Sequence, residues 1–143
     1  MVTVNWIGGA AFEAVPPSGN RFVMDSHVDF GGRNLGPSPV EAMLSAIAAC
    51  SAIDVLSILE KKKQIVKSYR IEVDGDRIPP GEFPRPFTSI VIRHIVAGED
   101  LDPAAVQRAV ELSDEKYCSV IATLRAAPKI TSEWKIEGGP AED

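Results

Sequence analysis

The segment from Pro39 to Lys62 constrains the fold of this chain more than any other. Past Pro39 it contains no Gly or Pro, and from Val40 to Leu59 it contains no Lys or Arg. Ser38 is placed to cap a helix N-terminus, and Pro39 falls at the first helical position, where its missing N–H costs nothing. Lys61-Lys62-Lys63 closes the run with charges that suit a helix C-terminus. One long helix is therefore predicted. Its polar members, Glu41, Ser45, Ser51, Asp54 and Ser57, scatter around the helical wheel at ~100° per residue instead of forming one stripe. A helix apolar on nearly every side must be buried on nearly every side. The whole chain has 143 residues, and a domain of that size buries only about two thirds of its surface on folding. A homodimer with this helix near the interface solves the problem most simply.

Hydrophobic residues make up 45% and charged residues 24% of the chain, which fits one compact domain over residues 1–143. A net charge of −5 argues against electrostatic binding to nucleic acid or to an anionic membrane. There is no stretch of about 18 uninterrupted apolar residues, so no membrane span is expected. Met1-Val2-Thr3-Val4-Asn5-Trp6 lacks the basic and apolar regions of a signal peptide. Two cysteines without such a signal point to a reducing compartment, and a cytoplasmic location is expected.

Short strands are predicted over Thr3 to Ile7, Ala10 to Val15 and Arg21 to Asp25, separated by Gly8-Gly9 and by Pro16-Pro17-Ser18-Gly19-Asn20. After the long helix, Tyr69, Ile71 and Val73 alternate with Arg70, Glu72 and Asp74, as in a half-buried strand. Phe87 to Val96 is apolar on both faces and reads as a central strand. The stretch Ile78 to Pro86 is too rich in proline for regular structure. Asp102 and Pro103 open a second helix that reaches about Tyr117. Ile130 to Ile136 alternates and reads as a final strand, and Gly138 to Asp143 as a frayed tail. The order β-β-β-α-β-β-α-β, with no repeating βαβ unit, predicts an α+β fold with a mainly antiparallel sheet around a long buried central helix.

Cys50 falls in the middle of the long helix, and Cys118 follows the second one. Free cysteine often behaves as a small buried hydrophobe, so packing alone could account for both. They are too far apart in sequence for a CxxC motif. Two thiolates without nearby histidines also make a poor zinc site, and no metal is expected.

The run Gly36-Pro37-Ser38-Pro39-Val40-Glu41-Ala42-Met43-Leu44-Ser45-Ala46-Ile47-Ala48-Ala49-Cys50, with Asp54-Val55 and Ile58-Leu59 behind it, resembles the OsmC/Ohr family of osmotically inducible and organic-hydroperoxide-resistance proteins. Glu115-Lys116-Tyr117-Cys118-Ser119-Val120 resembles the second cysteine motif of that family. The likeness spans essentially the whole chain, and the Pro-Ser-Pro helix entry is closest to an OsmC-like branch. It implies an intertwined homodimer with two sites at the interface and thiol-dependent reduction of organic hydroperoxides. By that analogy Cys50 is the peroxidatic cysteine and Cys118 the resolving one. Cys50 attacks the O–O bond and becomes a sulfenic acid, Cys118 condenses with it to a disulfide, and a dithiol, commonly on a lipoylated protein, restores the pair. No metal, haem, flavin or other cofactor is implied.

Chemistry adds a further requirement. A thiol of pKa ~8.5 is only about 3% ionised at pH 7, and lowering the pKa to ~6 raises the thiolate fraction roughly 30-fold. A Brønsted slope of ~0.4–0.5, borrowed from disulfide exchange, takes back roughly tenfold of that gain. The larger effect should come from a fixed cation that stabilises the departing alkoxide, and arginine suits that task.

The peroxide-reducing relatives pair their first cysteine with an N-terminal arginine and a glutamate ten residues earlier. Here Val40 occupies that position. Glu41, nine residues before Cys50, points ~180° away on an ideal helix, so it acts at the site across a dimer or serves as an ordinary first-turn carboxylate. Asp54 shares the face of Cys50. Unpaired, it would raise the thiol pKa, so it either meets a cation or disqualifies Cys50 as a peroxidatic thiolate. Arg33, among glycines, is the candidate cation, with Arg21 behind it; a plain solvated charge is the alternative for both.

Other signals are weaker. Asp25-Ser26-His27-Val28-Asp29 lacks a fourth metal ligand. His94 suits a hydrogen-bonded structural role. Gly31-Gly32-Arg33-Asn34-Leu35-Gly36 lacks the spacing of a phosphate loop. Two functional readings remain: an organic hydroperoxide reductase, and a non-peroxidatic dimer that binds a small molecule or a thiol partner.

Overall fold

Short runs punctuated by turn residues build the first sheet. A computed structural model describes residues 1–135, and in it strands β1 (Thr3–Trp6), β2 (Phe12–Val15) and β3 (Phe22–Met24) form an antiparallel meander in that order. Thr3 faces Val15 and Phe12 faces Met24 across the two ladders. Gly8 and Gly9 take φ values of +103° and +59° in the β1–β2 turn, a region that favours glycine. Gly36 passes so close to the Val23 carbonyl that a Cβ there would collide with it. The loop between β3 and the long helix is thereby pressed against the sheet.

The long helix, α1, runs over Pro39–Lys61. Ser38 and Glu41 form a capping box: the Glu41 N–H donates to Ser38 Oγ at 3.3 Å and the Ser38 N–H donates to Glu41 Oε2 at 2.7 Å. Strands β4 (Ile65–Arg77) and β5 (Phe87–Glu99) then form a long antiparallel hairpin, from the Ile65–Glu99 pair to the Arg77–Phe87 pair. Helix α2 (Pro103–Leu112) is capped by Asp102, whose carboxylate accepts from the Ala104 N–H at 2.9 Å. A π-helical turn over Ser113–Tyr117 leads through Cys118 into helix α3 (Ser119–Ala126). Helix α1 packs on α2, α3 and β4. Val55, Leu59 and Ala109 centre one part of the core, and Ile47, Cys118 and Ile121 centre the other.

The architecture is α+β with antiparallel sheets, as the element order predicts, with four differences in detail. First, α1 is not buried all round within one protomer. Its buried residues, Ile47, Ser51, Val55 and Leu59, are four apart and define a single stripe, while Ile53 on another face is 69% exposed. By length and composition α1 is also apolar enough to cross a membrane. Its buried stripe packs as the core helix of a folded domain does.

Second, the strands divide into a three-stranded and a two-stranded sheet, and among the described residues β5 pairs with β4 alone. Its second apolar face, with Val91 and Ile95, is exposed, so β5 is not central in the protomer. Third, the final strand does not form over residues 130–135; Ile136 and the tail from Gly138 lie outside the described residues. Alternation marks a segment as two-faced but supplies no ladder to join, and here Trp134 is 86% exposed. Fourth, helix α3 carries no strong start or stop signal and was not expected.

Candidate functional site

Two elements distant in sequence meet at the cysteines. Cys50 is on the inner side of α1, one position before the buried Ser51. Cys118 ends the π-helical turn and stands at the N-cap of α3. Their sulfurs and a carboxylate oxygen of Asp54 all lie within 4.8 Å of one another. Asp54 reaches this place because it is one helical turn after Cys50, a spacing that puts both on one face. Cys118 is 2% exposed and Cys50 is half-buried, and Ile47, Ile121, Val73, Ile92 and Val120 pack around the pair. A disulfide of ~2.05 Å needs the two sulfurs to approach by less than about 3 Å.

Burial is the main influence on the Cys118 thiol and raises its pKa. The neighbouring Cys50 pushes in the same direction. The N–H groups of Ile121 and Val120 oppose both, although they are too loosely placed to make a formed cap hydrogen bond. The net shift is upward, so Cys118 holds its proton well past neutrality.

A buried polar network adjoins the thiols. Ser113 Oγ lies 2.9 Å from Ser51 Oγ and 3.4 Å from both Asp54 Oδ2 and the Ser51 carbonyl oxygen. A hydroxyl has one proton, so it serves one of these acceptors at a time. Among the described residues the hydrogen-bond partner of Asp54 is therefore a hydroxyl. Beyond Ser51, His94 Nε2 is at 3.5 Å, and His94 Nδ1 lies 2.6 Å from the Tyr69 hydroxyl. Burial lowers the His94 pKa and raises that of Tyr69, which fits a neutral, hydrogen-bonded histidine. His94 also lines a cavity of about 300 Å³ between β5 and helices α2 and α3, with Ile47 and Ile121 on its wall. Sequence reasoning missed Ser51 and Ser113. The signal was available in α1, where Ser51 and Asp54 break an otherwise apolar face.

The other candidates engage partners elsewhere. Arg33 is exposed; its guanidinium donates to the Gly8 carbonyl at 3.3 Å, at the β1–β2 turn. Arg21 pairs with Glu13 at 3.1 Å. Glu41 is about 14 Å of helix rise from Cys50 and belongs to the capping box, where the Ser38 N–H holds its carboxyl below the usual range. Asp25 is buried, and its oxygens accept from the N–H groups of Ser26, Arg33 and Leu35 at 2.8, 2.9 and 3.2 Å. The Arg33 N–H is the main reason its pKa falls. His27 and Asp29 contact each other, at 3.0 Å.

A paired-thiol pocket entered from a long capped helix and from a turn ahead of a short helix suggests a family, and the comparison with known proteins decides it. The family model described as OsmC-like protein matches residues 31–133. The chain belongs to the OsmC-like family. It is 42% identical over 133 residues to Protein YhfA of Escherichia coli K12, covering 93% of this chain and 95% of that one. A crystal structure of a hypothetical protein from Aquifex aeolicus has a TM-score of 0.74 at 31% identity, over 89% of this chain and 87% of that one. The organic hydroperoxide resistance protein OsmC of Legionella pneumophila shares the fold, with a TM-score of 0.64 at 14% identity over 87% and 89% of the two chains. Within this OsmC-like chain both cysteines of the two motifs converge.

Proposed function

We propose that this protein is a thiol-dependent peroxidase that reduces organic hydroperoxides through Cys50 and Cys118. The observation that carries the reading is the meeting of two sulfurs, from helix α1 and from the start of α3, in one apolar pocket. Cys50 thiolate attacks the terminal peroxide oxygen, the O–O bond breaks, and the alkoxide takes up a proton to leave as an alcohol. The Cys50 sulfenic acid then condenses with the Cys118 thiol, releasing water and forming the disulfide. An external dithiol, in the family commonly lipoyl-bound, takes over the disulfide and is itself oxidised.

The high Cys118 pKa supports this division of roles, because a thiol that stays protonated is the poorer first nucleophile. Asp54 is the nearby carboxylate that can take the Cys50 proton and hand it to the alkoxide, and Ser113 steadies it. The chain acts as one domain in the cytoplasm, as an intertwined homodimer. Ile53 and Leu56 on α1, and Trp6, Phe12 and Phe22 on the first sheet, are exposed apolar surface that such a dimer would cover. Arg33 and Glu41 serve the site, in this reading, from the second protomer.

Purified, reduced protein should consume an alkyl hydroperoxide with a dithiol present, and Cys50→Ser should stop it. Equal rates in the two proteins would refute the proposal. A second reading, a non-peroxidatic binding module, is favoured by Val40 in place of an acid and by the hydroxyl partner of Asp54. It requires that a stoichiometric pulse of peroxide leave both thiols reduced.

A further inference from the structure

The side chains that meet at the thiols have a further use. Two sulfurs and a carboxylate converge in a largely apolar pocket, with the Ser113 hydroxyl against the carboxylate. Within one protomer Arg33 and Arg21 are engaged at the first sheet and its turn. Two sulfur donors and a carboxylate oxygen gathered on one spot are ligand types that a thiophilic cation takes.

The donor set suits an ion. Tetrahedral zinc holds two thiolates about 3.8 Å apart on arms of ~2.3 Å, with oxygen ligands at ~2.0–2.2 Å. The three donors already lie within 4.8 Å of one another, so side-chain adjustments of about 1 Å would close the set. Cys50 and Asp54 stand at i and i+4 on α1, a spacing by which one helix face presents two ligands to one metal. Cys118 comes from a different element, which fixes the third direction. Ser113 supplies the outer-sphere hydrogen bond that orients the carboxylate. Two cysteines alone make a poor zinc site, as the sequence suggests; the fold adds the carboxylate.

We propose that Cys50 Sγ, Asp54 and Cys118 Sγ form a binding site for a thiophilic divalent cation, Zn²⁺, with solvent in the fourth position. Binding releases the two thiol protons to solvent, and no electrons move. The bound ion occupies both sulfurs, so it also holds the pair in a reversible resting state. That last consequence rests on the peroxidase reading; the site itself does not.

The test uses the full chain, reduced and free of metal, with Zn²⁺ competed against a chromophoric chelator and Co²⁺ as the spectroscopic probe. Wild type should take up one ion per chain and show a sulfur-to-cobalt charge-transfer band with tetrahedral visible bands. Cys50→Ser, Cys118→Ser and Asp54→Asn should each weaken Zn²⁺ binding by more than about tenfold, the low end of what even outer-sphere substitutions cost. Wild type alkylated at its thiols should bind no ion, which covers the case of a variant that does not fold. Cobalt uptake by wild type without a sulfur-to-cobalt band overturns the site, as does equal uptake by wild type and Asp54→Asn. No peroxide enters these measurements. Metal uptake without hydroperoxide turnover would therefore refute the enzymatic reading alone, and turnover without uptake would refute this site alone.

Discussion

Two carboxylates in this molecule are removed from bulk water to different degrees and in different company. Asp25, fully buried, receives three backbone N–H groups and ties the loop before α1 to the first sheet. Asp54, half-buried, has among the described residues one long hydrogen bond, from Ser113, and faces two thiols. Those three donors make the first architectural: both of its oxygens are engaged by the backbone of the loop it holds. The second is under-committed beside reactive atoms, which leaves it free to hold a proton or a cation. A buried acid thus points to chemistry only when its hydrogen bonds are incomplete.

The contrast can be broken at either end. The largest effect expected is from Cys50→Ser, which should reduce hydroperoxide consumption to background while leaving the far-ultraviolet circular dichroism unchanged. Asp54→Asn should lower the rate of peroxide loss by ~10²-fold, the lower end for a lost acid–base group, with little change in thermal midpoint. Asp25→Asn should do the reverse, keeping turnover per folded molecule but lowering the midpoint. If both substitutions act alike, the distinction between the two acids fails.

Stability and pH sharpen the comparison further. Leu59→Ala, at a position with no solvent exposure, should cost about 2–5 kcal/mol by denaturant titration and leave the thiol chemistry of the folded fraction intact. The lowered pKa values of Asp25 and Glu41 mean that their contribution to stability is present above the ordinary carboxylate range and is lost as pH falls below about 4. In Asp25→Asn that acid-side loss should shrink. Cys118 has the opposite sign. Its raised pKa favours the folded state below the ordinary thiol value and withdraws that contribution as pH climbs through the folded one. The smallest effect follows from the same shift: disulfide closure after a peroxide pulse should accelerate steadily from pH 7 to 9, as quenched-flow thiol counting would show.

Much of this was legible in the residues. Ser38, Pro39 and Glu41 announce the start of α1, and the structure shows the capping box they imply. His94 makes the structural hydrogen bond expected of it. Composition could not show how much of α1 one protomer covers, because an apolar surface looks the same whether its own chain or another one buries it. Likewise, the alternation in residues 130–135 is a property of the segment, whereas a strand is a property of a pair. Ser113 was invisible because its role depends on a π-helical turn that delivers it across to α1, 62 residues away from Ser51. The convergence of Cys118 on Cys50 was implied by a family resemblance; spacing alone did not contain it.

The capping box has one more effect, on rotational phase. Ser38 pins the angle at which α1 leaves the loop, and twelve residues later Cys50 inherits that angle. Adding or deleting a single amino acid between them would swing the sulfur by ~100° about the axis while leaving the cap intact. The reactive face is thus timed from the helix's first hydrogen bonds, and this stretch of chain should tolerate exchange of side chains far better than any change of length.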